Sequence, residues 1–198
     1  MQSKNGDPTV FFESGSNAQG TALSGSIKTN GGDDDFIGFV LGYQADEMNS
    51  TSADYWLIDW KQQNQSGASI GLALSHVSGD IANGAAANPT FWAHTGVVSE
   101  AARATNLGST GYVHGQSYTF ELTFTDSLIE VYVDNVLEIS YGGSFTDGAF
   151  GFYNYSQANV EYAGITADPL PGVPLPASLP LLLAGFGALG LARRRRKS

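Results

Sequence analysis

From Tyr118 to Asp134 the chain changes character at every residue. Tyr118, Phe120, Leu122 and Phe124 alternate with Thr119, Glu121, Thr123 and Thr125; Ile129, Val131 and Val133 then alternate with Glu130, Tyr132 and Asp134. A period of two puts each set on its own face of an extended chain, whereas a helix would scatter both around its axis. The two runs therefore read as strands with one buried and one wet face. Asp134-Asn135 leads to a third run, Leu137 to Tyr141. Both residue types tolerate positive φ, so the pair predicts a two-residue hairpin turn. Thr9 to Glu13, Leu23 to Thr29, Ile70 to Leu74, Phe150 to Tyr155 and Val160 to Thr166 supply further extended runs. About ten short strands at this spacing predict an all-β sandwich and not alternating strands and helices. Gly79 to Pro89, rich in Ala, Asn and Gly, reads as a surface loop. Ser99 to Leu107 reads two ways, one of them a short helix capped by Ser99 and ended by Gly108.

The stretch from Asp33 to Gln62 adds chemistry to this frame. Asp33, Asp34 and Asp35 stand side by side, an apolar strand runs from Phe36 to Gln44, and a polar loop leads to an aromatic strand from Asp54 to Gln62. In the aromatic strand Trp56, Ile58 and Trp60 share one face, and Leu57, Asp59 and Lys61 the other, the pattern of a half-buried strand. Adjacent carboxylates are hard oxygen donors of the kind calcium prefers, although spacing alone also suits a solvated acidic turn.

These residues resemble the C-terminal domain of thrombospondins and its bacterial relatives. The likeness rests on Asp33-Asp34-Asp35, Phe36 through Gly42-Tyr43-Gln44, and Tyr55 through Trp60-Lys61-Gln62. It continues in Phe91-Trp92-Ala93-His94-Thr95-Gly96, Ser117-Tyr118-Thr119-Phe120 and Gly151 to Gln157. The resemblance implies a concanavalin-like jelly-roll β-sandwich over residues 9–167, following a polar N-terminal segment, 1–8. It places a strand near Arg103, the second reading of the ambiguous stretch. It also implies calcium at Asp33, Asp34 and Asp35; Asp46 and Asp54, by their place flanking the loop between the paired strands, are candidates for additional ligands. Adhesion is the role that this likeness suggests.

Composition narrows the partners. The formal net charge is −10, and all 19 acidic residues lie at or before Asp168, opposed there only by Lys4, Lys28, Lys61 and Arg103. Such a body repels nucleic acid and attracts cations. With no cysteine, neither a disulfide framework nor a thiolate zinc site is available.

The tail, 168–198, is a different substance. Pro169, Pro171, Pro174 and Pro176 punctuate its start, Leu175 to Ala192 carries no charge, and Arg193, Arg194, Arg195, Arg196 and Lys197 close it. The uncharged run would make about 27 Å of helix, close to the ~30 Å hydrocarbon core. It predicts a single C-terminal transmembrane helix with the basic cluster kept cytoplasmic. The tail resembles the PEP-CTERM class of bacterial sorting signals in the form Val173-Pro174-Leu175-Pro176-Ala177. That likeness implies export, an exosortase-type processing enzyme, and a cell-surface or matrix destination with exopolysaccharide nearby. It also implies an N-terminal signal peptide. Met1 to Asp7 is polar and has no apolar region, so the expected start lies further upstream or the chain is truncated.

His76, His94 and His114 show no metal spacing and read as hydrogen-bonded structural residues, with His94 the one to watch for its place in the Trp-Ala-His-Thr-Gly motif. A glycoside hydrolase on the same fold is the alternative from another class. Its two carboxylates would be Glu130 and Asp134, which share a strand face with Tyr132. Asp134 belongs to a turn and no third acid lies between them, so the pair reads as a solvated face and the chain as no enzyme. Tyr132, Tyr153, Tyr155 and Trp92 are candidates for outward stacking on sugar rings, or for closing the ends of the sandwich. The expectation is an exported, non-catalytic, calcium-binding surface or matrix protein used in adhesion or glycan association.

Overall fold

The computed structural model describes residues 1–81 and 89–170. Eleven strands are found there: β1 (Thr9–Phe12), β2 (Thr21–Thr29), β3 (Phe36–Tyr43), β4 (Ala53–Lys61), β5 (Gly71–Gly79), β6 (Val98–Arg103), β7 (Ser117–Phe124), β8 (Leu128–Val133), β9 (Val136–Gly142), β10 (Ala149–Tyr155) and β11 (Val160–Pro169). A short helix, α1 (Pro89–Ala93), and a single 3-10 turn (Glu47–Asn49) complete the set. The ambiguous stretch resolves as strand at Val98–Arg103. The expected loop from Gly79 gives way to α1 at Pro89, with 82–88 outside the described residues. Trp92 therefore sits on a helix and not in a loop.

All pairings between neighbouring strands are antiparallel. One sheet has six strands in the order β1-β10-β3-β4-β5-β6, the other five in the order β11-β2-β7-β8-β9. The alternation at Tyr118–Asp134 works as predicted, β7 reading buried at Tyr118, Phe120, Leu122 and Phe124 and open between them. Asp134 and Asn135 take φ of 49° and 64°, the left-handed pair that closes β8 onto β9. The inner faces meet in one core, with Ile37, Phe39, Leu41, Trp56, Ile58 and Trp60 against Leu23, Ile27, Phe120, Leu122 and Phe124.

The six-stranded sheet departs from expectation. All but Asp54 of β4 is buried, not one face of it. Its outward residues form a second apolar cluster, with Phe36, Val40, Tyr55, Leu57, Val77, Val98 and Tyr153 beneath Ile81 and Phe91. The segment around α1 lies over this face as a third layer. Asp59 and Lys61, polar residues that alternation assigns to water, are buried under that layer with their own partners. Tyr153, a candidate for outward stacking, is fully buried in the same place.

The ends of the domain are tied in. Gln2 and Val160 exchange backbone hydrogen bonds, and β11 runs on to Pro169 opposite Thr21. The sandwich thus takes in residues on both sides of the expected 9–167. No helix among the described residues is long and apolar enough to cross a membrane. The predicted transmembrane run and the Val173–Ala177 motif lie outside the described residues, apart from the start of the tail at Asp168, Pro169 and Leu170.

Candidate functional site

At one end of the six-stranded sheet, charged and aromatic side chains converge on Phe36, the first residue of β3. Its ring lies 5.5 Å from Trp92, 5.6 Å from His94 and 6.1 Å from Tyr155, centroid to centroid. Lys61 Nζ stands 5.6 Å from the same ring and 5.0 Å from that of Trp92. The register explains the convergence: Tyr155 pairs with Phe36 on one side, and β4 brings Trp60 opposite Ile37 on the other. Lys61 is the last residue of β4, so its side chain reaches the sheet end where the Asp triplet arrives.

The triplet is a real cluster, with one carboxylate oxygen from each of Asp33, Asp34 and Asp35 within 4.8 Å of the others. A cation already sits inside it. Lys61 Nζ donates to Asp35 Oδ1 at 2.8 Å, Asp34 O at 2.7 Å, Asp34 Oδ1 at 3.2 Å and Gln65 Oε1 at 3.1 Å. Lys61 has no solvent exposure and Asp35 almost none. Burial pushes the Asp35 carboxyl above its usual range, against the pull of Lys61 and of a Ser156 hydroxyl. The Tyr112 hydroxyl, 2.6 Å from Asp35 O and 2.9 Å from Gln157 Oε1, fixes the triplet's backbone.

The donor set is right in kind for calcium, since all three groups are hard oxygens. Its inner side does not fit an ion, because the ammonium takes an oxygen from each of Asp34 and Asp35. What remains open is the Asp33 carboxylate, tied to Asn5 Nδ2 and Asp34 N, and the second oxygen of the partly exposed Asp34; Asp35 is buried. That is short of the six to eight oxygens calcium takes, so water would have to complete the shell.

The other expected ligands lie elsewhere. Asp54 is at the opposite end of β4, about 23 Å along an extended strand from Lys61. There it receives a hydrogen bond from His76 Nε2 at 2.7 Å. Asp46 precedes the 3-10 turn with φ 65°, also at that far end. His76 stacks on Trp56 at 4.6 Å, and His114 Nδ1 lies 3.0 Å from Thr29 Oγ1. Glu130 and Asp134 sit on the outer face of the other sheet, Glu130 beside Tyr132 and Asp134 accepting from Thr119 N and Oγ1.

His94, which the sequence reads as a hydrogen-bonded structural residue, has a partner at each ring nitrogen. Its Nε2 is 2.9 Å from Asp59 Oδ2 and its Nδ1 is 3.4 Å from Ser75 Oγ. Burial pulls the imidazole pKa down, while the charge and hydrogen bond of the Asp59 carboxylate, with Glu100 beyond it, push it up, and the net shift is upward. An imidazolium donates through both nitrogens, matching an acidic and a hydroxyl acceptor. The Ser-His-Asp set has the membership of a hydrolytic triad, yet Ser75 is fully buried on β5 beneath the α1 layer. A nucleophile needs an open face for its substrate, so the trio is a clamp that holds the α1 segment to the sheet. The only sequence signal for it is Asp59 and Lys61 sharing a face of an aromatic strand.

Trp92 and Tyr155 remain partly open above this buried chemistry, edge to face at 5.3 Å, and Trp92 Nε1 donates to Gln65 O at 2.9 Å. Two aromatic rings thus border a rim of carboxylate and carboxamide groups.

Residues 172–197 match the family of the PEP-CTERM protein-sorting motif. No curated protein matches the chain in sequence. Among solved structures the chain is similar to carbohydrate-binding module CBM66 from Bacillus subtilis. Identity there is 12%, over 83% of this chain and 84% of that one, with a TM-score of 0.61. A Bacillus subtilis protein of unknown function with a galectin-like fold is 9% identical over 84% of this chain and 79% of that one, TM-score 0.58. Lactose- and MES-liganded congerin II is 9% identical over 82% of this chain and all of that one, TM-score 0.53. At such identities the likeness establishes the fold: a two-sheet sandwich of the galectin and concanavalin type.

Proposed function

We propose that this is an exported, non-catalytic carbohydrate-binding protein of the cell surface or extracellular matrix. Its sandwich holds glycan, and its tail directs sorting. The observation that carries the reading is the half-open pair Trp92 and Tyr155 beside Asp33, Asp34 and Gln65. Aromatic faces stack on the apolar faces of sugar rings, while carboxylates and carboxamides accept and donate to their hydroxyls. The solved relatives include a carbohydrate-binding module and a lactose-liganded protein, which supports the same reading by analogy of fold. Glycan arrays followed by calorimetry test it. Trp92→Ala should weaken the strongest hit by about tenfold or more, equivalent to ~1.4 kcal/mol, without lowering the melting temperature by more than a few degrees. Unchanged affinity would move the site away from this rim.

The tail supplies the second half of the reading. A PEP-CTERM match over residues 172–197 supports processing by an exosortase-type enzyme at Val173–Ala177, after a membrane stage held by the Leu175–Ala192 run and Arg193–Lys197. Calcium is the finer part of the proposal, as a rim ion held by the open oxygens of Asp33 and Asp34 beside Asp35. Adhesion of the thrombospondin kind would follow from it. Melting curves with millimolar calcium against chelator decide this, a rise in melting temperature that Asp33→Asn removes being the expected result.

A further inference from the structure

Strand β10 turns its two faces to different surroundings. Tyr155 packs with the outer cluster under α1, whereas its neighbour Asn154 turns inward with Phe152, toward Tyr162 of β11. The flank on that inner side is open, because β1 edges one sheet, β11 edges the other, and the two do not pair. A cavity of about 450 Å³ lies there beside Gln2, Lys4 and Asn154, and one of about 380 Å³ beside Phe12, Glu13 and Ala167. Phe11, Phe152 and Ile165 line both, and Phe11 is 75% exposed. The first cavity also holds polar atoms without partners. Asn154 is buried, its Oδ1 lies 3.0 Å from the Tyr162 hydroxyl, and its Nδ2 is bonded to nothing. Turning the amide over would only exchange the bare end for the bonded one. Gln2 Oε1 is a bare acceptor in the same wall, while Gln2 Nε2 donates to Lys4 O at 2.8 Å. Buried polar atoms in this state are costly, and each calls for an explanation.

We propose that this flank binds a single-chain fatty acid that carries a hydroxyl near its carboxylate. Charge selects the head and its direction. Lys4 is one of the four basic residues that oppose the acids of the body, and it stands exposed at the first cavity, which no acid lines among the described residues. Glu13 lines the second cavity, so an anion is drawn to the Lys4 end and repelled from the other. The carboxylate accepts from Lys4 Nζ and Asn154 Nδ2, and the hydroxyl donates to Gln2 Oε1. The tail then runs past Phe11, Phe152 and Ile165 toward Ala167, through a midsection of aromatic and aliphatic side chains that offers little to the hydroxyls of a sugar. From Tyr162 to Ala167 that path follows about 17 Å of strand, close to the ~15 Å filled by the chains of one leaflet, half of a ~30 Å hydrocarbon core. The site lies on the other face of β10 from the Trp92 and Tyr155 rim, so a failed glycan assay and a failed fatty-acid assay are separate results.

Photo-crosslinking of the full-length protein in a detergent with a neutral head tests both the site and the direction. A β-hydroxy fatty acid with a diazirine at its methyl end should label Phe12, Phe150 or Ala167. The same acid with the diazirine beside its head should label Thr9, Asn154 or Tyr162, and excess unlabelled acid should suppress both. Lys4→Glu and Phe11→Asp, each at an exposed position, should cut the labelling several-fold with an unchanged far-ultraviolet spectrum. The methyl ester of the probe should label several-fold less than the acid, and the acid without the hydroxyl should compete less well. Label of similar yield on Val136 and Leu137, exposed on the far edge strand β9, or label confined to the Leu175–Ala192 run, would overturn the proposal as mere adsorption. So would equal labelling by the ester, equal competition by the acid without the hydroxyl, or links from Phe11 only to a second chain, which would make the occupant another copy.

Discussion

Replacing Lys61 with methionine keeps the length and apolar stem of the side chain and removes only the ammonium. The structure says what that group does: its three N–H groups are shared among four acceptors, Asp34 O, Asp34 Oδ1, Asp35 Oδ1 and Gln65 Oε1, with the ammonium itself away from solvent. Removing one partner of a buried pair leaves an uncompensated charge and costs about 3–5 kcal/mol. For a domain of this size that is a fall in melting temperature of roughly 6–20 °C at pH 7. The pH dependence has a definite sign. Asp35 already titrates above its usual range, and losing the lysine pushes it higher. The folded variant then binds a proton more tightly than the unfolded chain, so its stability falls as pH rises through that window and returns as pH falls. Urea unfolding of wild type and Lys61→Met at pH 7 and near pH 4.5 measures both quantities. The gap between them should narrow at the lower pH. Millimolar calcium should raise the melting temperature of the variant more than that of the wild type, since the ion can then enter the inner side of the cluster. A gap below about 1 kcal/mol, the range of exposed pairs, or one that widens in acid, would refute the account of Lys61 as a buried counter-ion.

Two further outcomes follow from the same face of the sheet. His94 titrates above its unfolded value, so its clamp on Asp59 is fully present below about pH 6.5 and is lost as pH rises through the raised folded value. Melting temperature should fall from pH 6 to 9 more steeply in wild type than in His94→Gln, and parallel slopes would show that the clamp carries no charge. Gly38 lies between Tyr153 and Asp59 in the sheet, where a Cβ would meet the Ile58 carbonyl oxygen and the Asp59 backbone. Gly38→Ala should cost about 3 kcal/mol, the upper end for overpacking because backbone and not a side chain must move; an unchanged urea midpoint would contradict the register.

The sandwich was legible wherever one face of a strand meets water. Tyr118 to Asp134 announces β7, β8 and the turn after them because each polar residue there is solvated or at a turn. β4 breaks the rule. Asp59 and Lys61 read as wet by their chemistry, yet their partners arrive from 35 and 26 residues away, at His94 and Asp35. Alternation reports polarity, and polarity equals exposure only when no other segment returns to cover it. The Asp triplet was visible as a cluster of oxygens, but not the ammonium within it, for the same reason of distance in sequence. Asp46 and Asp54 flank the loop that joins β3 to β4, and that loop lies at the other end of both strands from the triplet, so the length of β4 separates Asp54 from it.

The layer over the six-stranded sheet also sets how this protein would fail. A sandwich with polar outer faces tolerates cuts and insertions in its loops, since only water is uncovered. Here Ile81 and the α1 segment, with Phe91 and Trp92, cover Tyr55, Leu57 and Tyr153. A protease nick or a long insertion in the α1 segment would bare a face of aromatic and aliphatic side chains beside Asp59, stripped of His94. In a crowded matrix that surface would adhere to whatever it met, and the contacts His94 and Trp92 make with Asp59 and Gln65 are what keep it covered.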